Sequence, residues 1–365
     1  MRRGGIVFDL MKTIRLLYVG VADRAHAAVL CHIASKGHRV FCAVDEKPPR
    51  PLPGVKCIKT PHLWAKLDLR YAFVLRKIIK RLKINVVFAV TSKGLSAANF
   101  ACRNTNVKVV GYRGANFKPN TWDISFYLSI LNPSVDKIVL GDEYLVELLA
   151  KRVPREKLVV ARKPFDVAWC RYALANPAKV KGVPEGKNCL RVAYSAMTKD
   201  RPCKGLRFLL EAMEILAGKN VHLIFVGDYD EKDRKFAENC AAASQIHLVG
   251  VGDGMRYVAG CDVFVLPSTR DASPRCVREA MACGLPCIVS DIDGARDLIV
   301  NHETGLLVAP GNPQQIADAI TFFLENEDAR LRFGKASRER IVSKFSLQEY
   351  LDIFMRLFSE LVEQD

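Results

Sequence analysis

Two carboxylates, Asp271 and Glu279, stand with seven residues between them in "VFVLPSTRDASPRCVREAMACGLP". An apolar run ends ahead of them in Pro-Ser, and Gly-Leu-Pro closes the stretch. Ser273 suits an N-cap, Pro274 the first helical position, and Gly284 the left-handed position that ends a helix. The spacing therefore predicts a short helix, Pro274 to Cys283, opening at the end of a buried strand. The free amides of Arg275, Cys276 and Val277, with the helix dipole, would suit a phosphate. Glu279, in the second turn, would point past that anion to a vicinal diol, which a carboxylate holds through two hydrogen bonds. Asp271, on the loop before the helix, would hold hydroxyls of a second sugar. A ribose, a diphosphate and a sugar to be transferred describe a nucleotide-diphosphate-sugar site. The competing reading is local, with both acids capping or ion-pairing nearby, Asp271 with Arg270 or Arg275.

Such a site needs strands to carry it. "IRLLYVG", "HRVFCAV", "NVVFAV", "KVVGY" and "DKIVLG" alternate with helical segments in the first half. Near-continuous Val, Ile, Leu and Phe in strands separated by helices predict a parallel sheet covered on both faces. The pattern breaks at residues 171–188, rich in Pro, Gly, Lys and Asn. It resumes with "LRVAYSA", "VHLIFVG", "IHLVG", the opening stretch and "GLLVAP". The expected architecture is two tandem Rossmann-like, doubly wound α/β domains with a cleft between them. Their expected limits are an N-terminal domain at 12–170, a linker at 171–188 and a C-terminal domain at 189–345. A last helix, 346–365, is free to pack back on the N-terminal domain. Ligands of such sheets bind beyond the carboxyl ends of the strands.

Composition narrows the class. The 365 residues suit two domains, and half are hydrophobic. No apolar run is long enough to span a membrane. "MRRGGIVFDLM" is too short and interrupted for a signal peptide, and "MKTIRLLYVG" makes Met11 a candidate start. The 12 cysteines lie in apolar and helical runs, as reduced thiols of a cytoplasmic protein would. Cys283 and Cys287 lack the second ligand pair of a zinc site. Residues 1–180 hold 32 Lys+Arg against 12 Asp+Glu, and residues 181–365 hold 23 against 27. A basic first half fits an anionic acceptor, membrane or nucleic acid. No helix-turn-helix, zinc or aromatic RNA-binding pattern supports the last, so nucleic acid is not expected.

The stretch 64–83, "WAKLDLRYAFVLRKIIKRLK", is a basic amphipathic helix. Tyr71, Val74, Leu75, Ile78, Ile79 and Leu82 share one face, while Lys66, Arg70, Lys77, Lys80 and Arg81 share the other. A sheet-covering helix with a solvated charged side explains this. So does contact with an anionic membrane surface, which Phe73 on the polar side favours.

The chain resembles glycosyltransferase family 4, of the GT-B fold. The family's Glu-x7-Glu motif corresponds to Asp271-x7-Glu279. "EAMACGLPCIVSDIDGARDLI" and "ETGLLVAPGNPQQIADAI" follow its pattern, as do "CKGLRFLLEAMEIL" and "HLIFVGD" upstream. In the first half "SKGHRVFCAV" and "VDKIVLGDEYLVELLAKRVPREKLVVARKPFD" are similar to the family, with "KPFD" in place of the usual Asn-Gly-x-Asp. The likeness is strong over 190–325 and weaker but orderly over 14–170. It implies that Glu279 binds the nucleotide ribose, Asp271 the transferred sugar and Lys204 the diphosphate. The family's second cation aligns with either Lys199 or Arg201.

The departures concern the first half and position 271. Asp271 is one methylene shorter than the family's Glu. The N-terminal Gly-Gly loop is reduced to Gly20, from which His26 would approach the reaction centre or stand as an exposed helix histidine. Where many relatives carry a His, Arg113 or Asn116 takes the place. Arg113 would stabilise an anionic acceptor or donor phosphate, or make a loop salt bridge.

The resemblance further implies a retaining glycosyltransferase, transferring a hexosyl group to a glycan or glycolipid acceptor such as lipopolysaccharide core. The departing phosphate would take the acceptor's proton. It implies work in the cytoplasm, peripheral to the inner face of the membrane. "DYD" (228–230) and "DID" (291–293) resemble the Asp-x-Asp metal motif of the other glycosyltransferase fold, but no cofactor or metal is expected. The alternative is a non-catalytic sugar-nucleotide binder or a sugar-nucleotide epimerase on the same fold.

Overall fold

The computed structural model describes residues 12–46, 48, 50–114, 123–184, 189–271 and 274–363. The chain divides into two compact units, one running up to Pro164 and resuming at Leu347, the other Phe165–Ser346. Among the described residues the first contains seven strands: β1 Arg15–Val19, β2 Arg39–Val44, β3 Val55–Lys59, β4 Val86–Ala89, β5 Lys108–Arg113, β6 Lys137–Leu140 and β7 Leu158–Val160. They pair parallel in the order β3-β2-β1-β4-β5-β6-β7. The central strands are apolar at consecutive positions because both faces are covered: Leu16 to Val19 and all of β4 are buried. β3, at the edge, keeps no residue fully buried and includes two lysines, so its sequence carries no strand signal.

The helix Leu347–Glu363 belongs to this first unit. Tyr350, Phe354 and Phe358 recur every fourth residue and so share one face. That face meets the sheet at Phe88, whose ring lies 5.2 Å from Phe354 and 5.7 Å from Phe358. Each buried ring stabilises the unit by about 1.5–3 kcal/mol relative to exposure.

The second unit has six strands among its described residues: β8 Leu190–Ser195, β9 Val221–Val226, β10 Ile246–Gly250, β11 Val263–Leu266, β12 Cys287–Ser290 and β13 Gly305–Val308. They pair parallel in the order β10-β9-β8-β11-β12-β13. β11 and β12 are buried along their whole length. The unit begins at Phe165, earlier than the composition change at 171 suggests. Phe165 and Cys170 are buried in this unit's core, which takes the short helix Val167–Cys170 with them.

Each sheet reverses its strand order beside its first strand, between β1 and β4 and between β8 and β11. Strand ends at such reversals leave a crevice. All 12 cysteines are free thiols. Among the described residues no helix is long and apolar enough to cross a membrane.

Candidate functional site

In the second unit the chain leaves β8 at Ser195 and β11 at Leu266, on either side of the reversal. The turn after β8 is pinned by Asp228, whose Oδ1 accepts the amides of Thr198 at 2.5 Å and Lys199 at 3.0 Å. A short 3-10 turn, Pro202–Lys204, then runs close against the end of β11. Thr269 N donates to Cys203 O at 2.9 Å, and the Tyr194 hydroxyl donates to Lys204 O at 2.7 Å. Gly205 makes the approach possible: its φ is +77°, and a Cβ would run into the Pro267 carbonyl oxygen.

This backbone delivers Lys204 to Asp271. Their Nζ and Oδ2 are 2.6 Å apart, with the side chains 16% and 13% exposed. The two residues are 67 apart in sequence, so Asp271 makes a long-range pair and not the local one with Arg270 or Arg275. At this burial each charge depends on the other, because removing one leaves the other incompletely solvated. Lys199 and Arg201 lie on the same turn, both exposed.

The helix after Asp271 spans Arg275–Ala282. Pro274 is its N-cap, one residue after the expected Ser273, because its ψ of 115° is extended. Ser273 lies outside the described residues. Pro274 gives no side-chain cap, so Arg275, Cys276 and Val277 form a first turn suited to an outside acceptor. Burial pushes the Cys276 thiol up to about 12, so it stays neutral there. Gly284 takes the left-handed conformation that closes the helix, with φ +83°. Glu279 is 13% exposed and accepts from Arg275 Nε at 3.0 Å, one helical turn away. Arg275 is 74% exposed, and helix pairs of this kind contribute only about 0.3–0.5 kcal/mol. A lysine between a carboxylate and an uncapped helix terminus, with a second carboxylate one turn on, suits an anion flanked by two polyols.

The carboxylates of the two Asp-x-Asp runs have structural partners. Asp228 holds the turn after β8, while Asp291 and Asp293 pair with Arg296 at 2.6 and 3.2 Å.

In the first unit the reversal is open. A cavity of about 770 Å³ lies over the ends of β1, β2 and β4, lined among others by Gly20, Asp45, His62, Lys66, Tyr71 and Ser92. Gly20 has φ +133°, and a Cβ there would meet Val90 Cγ2 at 2.6 Å. Arg113, at the end of β5, donates from NH1 to Ser92 Oγ at 3.1 Å, and burial lowers its pKa. Asn116 lies outside the described residues. His26 is neither exposed nor turned to a ligand. It is 3% exposed, packed edge-on to Tyr112 at 4.6 Å and Phe88 at 5.6 Å. Burial holds its pKa down at about 4, so its ring is a neutral core group. Asp23 caps the helix Arg24–Ser35 by accepting the His26 amide at 3.0 Å.

One polar pair in the cavity escaped sequence reasoning. Asp45 Oδ2 lies 2.7 Å from His62 Nδ1, and that hydrogen bond lowers the carboxyl's pKa. The signal was available for Asp45, a carboxylate directly after an apolar strand. For His62 there was none, since it follows a strand that the sequence hides.

A model of the family described as glycosyl transferases group 1 matches residues 194–340. The chain is 32% identical over 311 residues to the UDP-Gal:alpha-D-GlcNAc-diphosphoundecaprenol alpha-1,3-galactosyltransferase of Escherichia coli, covering 81% of this chain and 80% of that one. It is 28% identical over 162 residues to the N,N'-diacetylbacillosaminyl-diphospho-undecaprenol alpha-1,3-N-acetylgalactosaminyltransferase of Campylobacter jejuni, covering 43% of each. In that relative, as in several others, the match spans less than half the length. The crystal structure of a glycosyltransferase from Rickettsia africae superposes with a TM-score of 0.82 at 18% identity, covering 97% of this chain and 100% of that one. Two parallel Rossmann-like sheets in one chain, with that likeness, constitute the two-domain GT-B fold.

Proposed function

The chain belongs to the glycosyl transferases group 1 family, and we propose that it is a retaining hexosyltransferase of the family 4 type. It moves a sugar from a nucleotide-diphosphate donor to a cell-envelope glycan or glycolipid. The observation that carries this reading is the Lys204–Asp271 pair, set against an uncapped helix terminus at the β8/β11 reversal. The donor's diphosphate lies at the first turn of the helix Arg275–Ala282 and against Lys204. Glu279 takes the ribose diol, releasing Arg275. Asp271 keeps Lys204 on one oxygen and accepts from the transferred sugar on the other. As the glycosidic bond breaks, negative charge gathers on the diphosphate, where a fixed cation and backbone dipoles stabilise it most. The acceptor hydroxyl arrives on the face the diphosphate leaves, and the leaving phosphate takes its proton, so no separate base and no metal is required.

The E. coli relative, by its name, takes UDP-Gal and a GlcNAc carried on diphosphoundecaprenol. That supports a uridine donor and a lipid-linked acceptor here, met at the cytoplasmic face of the membrane. Thermal shift of the full chain against UDP-, GDP-, ADP- and CMP-sugars tests the donor, since binding the folded state raises apparent stability. A UDP-hexose should shift the transition most and be turned over in excess chelator, with the anomeric configuration kept by NMR. Turnover undiminished in Lys204→Ala and Glu279→Ala would sink the assigned roles. An inverted product would sink the retaining mechanism alone.

A further inference from the structure

Fifteen large hydrophobic side chains are exposed among the described residues, and six of them fall in two short stretches of the first unit. Trp64, Leu67, Leu69 and Phe73 are 50–69% exposed, and Ile124 and Tyr127 are 74% and 46% exposed. The stretches adjoin: Lys66 donates to Ser125 Oγ, and its Nζ stands 5.4 Å from the Phe126 ring centroid. Trp64 is held outward. Lys93 Nζ donates to its carbonyl oxygen at 2.8 Å, and the His62 ring meets its indole edge-on at 4.7 Å.

The charge beside this patch is mostly positive, with Asp123, next to Ile124, as an acid on its rim. The helix Leu69–Leu82 buries Tyr71, Leu75, Ile78 and Ile79 and turns Arg70, Phe73, Lys77, Lys80 and Arg81 outward. Between Leu63 and Ile84 the single acidic residue is Asp68. One oxygen of its carboxylate caps the helix, accepting the Tyr71 amide at 3.0 Å, and the other stands 3.8 Å from exposed Arg70. Among the described residues no carboxylate pairs with Lys77, Lys80 or Arg81. Single exposed apolar residues need no partner, but a cluster that includes Trp, Phe and Tyr, rimmed by cations, marks a contact surface. Indole and phenol rings favour the headgroup layer of a bilayer, and Lys and Arg are drawn to anionic lipid.

We infer that residues 64–81 and 124–127 form a docking surface for an anionic membrane leaflet. Trp64, Leu67, Leu69, Phe73, Ile124 and Tyr127 enter the headgroup boundary, while Arg70, Lys77, Lys80 and Arg81 meet lipid phosphates. The same loop turns His62, Leu63 and Lys66 into the cavity over β1 and β4. A lipid-linked acceptor would thus present its sugar to the cavity while its chain stays in the bilayer. This last step rests on the proposed glycosyl transfer; the docking surface does not.

The test is co-sedimentation of the full chain with vesicles of phosphatidylglycerol and phosphatidylethanolamine, against phosphatidylcholine alone. The anionic vesicles should bind it, less so as salt rises. Lys77→Glu with Lys80→Glu and Arg81→Glu should weaken binding on the order of a hundredfold or more at low salt. Trp64→Ser or Phe73→Ser should weaken it about tenfold, at low and high salt alike. Thermal shift with UDP reports folding and donor binding separately. A variant that still shifts with UDP but no longer sediments supports the surface. Parent protein that shifts with UDP and ignores anionic vesicles overturns the surface and leaves the donor reading standing. Vesicle binding that survives all these substitutions, or binding of single-stranded nucleic acid in preference to vesicles, also overturns it.

Discussion

The two strand-order reversals occupy equivalent places in equivalent sheets and are furnished in opposite ways. Beyond β8 and β11 the space is filled by charge, with Lys204 on Asp271 at 2.6 Å and Glu279 one helical turn away. Beyond β1 and β4 it is left as a cavity of about 770 Å³ with the Asp45–His62 pair at its wall. In the same unit His26 is sealed among aromatic rings. A doubly wound sheet offers a crevice wherever its order turns, but the fold does not say what the crevice is for. The loops decide. A connection pinned by Asp228 and Gly205 sets ions at fixed distances in one unit. Connections of similar length after β2 and β3 leave room in the other.

The sharpest way to break this contrast is Lys204→Met. On our reading it lowers transfer about a thousandfold, the scale of removing one fixed donor from developing negative charge. The acceptor KM should hardly move. A loss confined to acceptor KM would mean that charge and space are not divided between the units as described.

His26 gives the next effect, in stability. Its folded pKa of about 4 lies below the ordinary 6.5. Between those values the unfolded chain binds a proton that the folded chain refuses, so stability falls as pH drops through that window. The total is roughly 3 kcal/mol. His26→Phe keeps a ring against Tyr112 and should flatten the fall, measured by urea unfolding at pH 7 and pH 4.5. An equally steep fall in the variant would place the acid sensitivity elsewhere.

Smaller effects sharpen the comparison. Asp45→Asn should raise the acceptor KM about tenfold, on the order of one lost charged hydrogen bond, with the donor KM unchanged. Asp271→Glu adds one methylene beside Lys204 and should shift the preference among donor sugars a few-fold while the nucleotide alone binds as before. A nucleotide affinity that changes with Asp271→Glu would show that this carboxylate reads the diphosphate and not the sugar.

Much of this was legible in the residues. Buried strands announce themselves by unbroken apolar runs, and the site helix was placed within one residue at each end by Pro274 and Gly284. What escaped has a physical pattern. The Lys204–Asp271 pair spans 67 residues, and no local periodicity carries that information. β3 hides because an edge strand with Lys56 and Lys59 exposed has no apolar signature. The boundary at Phe165 hides because Pro, Gly and Lys further on look like a linker, while one buried Phe and one buried Cys hold the earlier segment to the second core. Exposure at Phe73 could be suspected from helical spacing, but its neighbours Ile124 and Tyr127 come from a distant segment.

The helix Leu347–Glu363 closes the core of a unit that begins more than three hundred residues earlier. During synthesis Tyr18 and Phe88 leave the ribosome long before Phe354 and Phe358. At about 5–20 residues per second the wait is on the order of tens of seconds. The first unit therefore matures after the second, against the direction of translation. Its unfinished aromatic face is the surface most in need of a chaperone's cover, and a premature stop near the end of the message would damage the beginning of the protein.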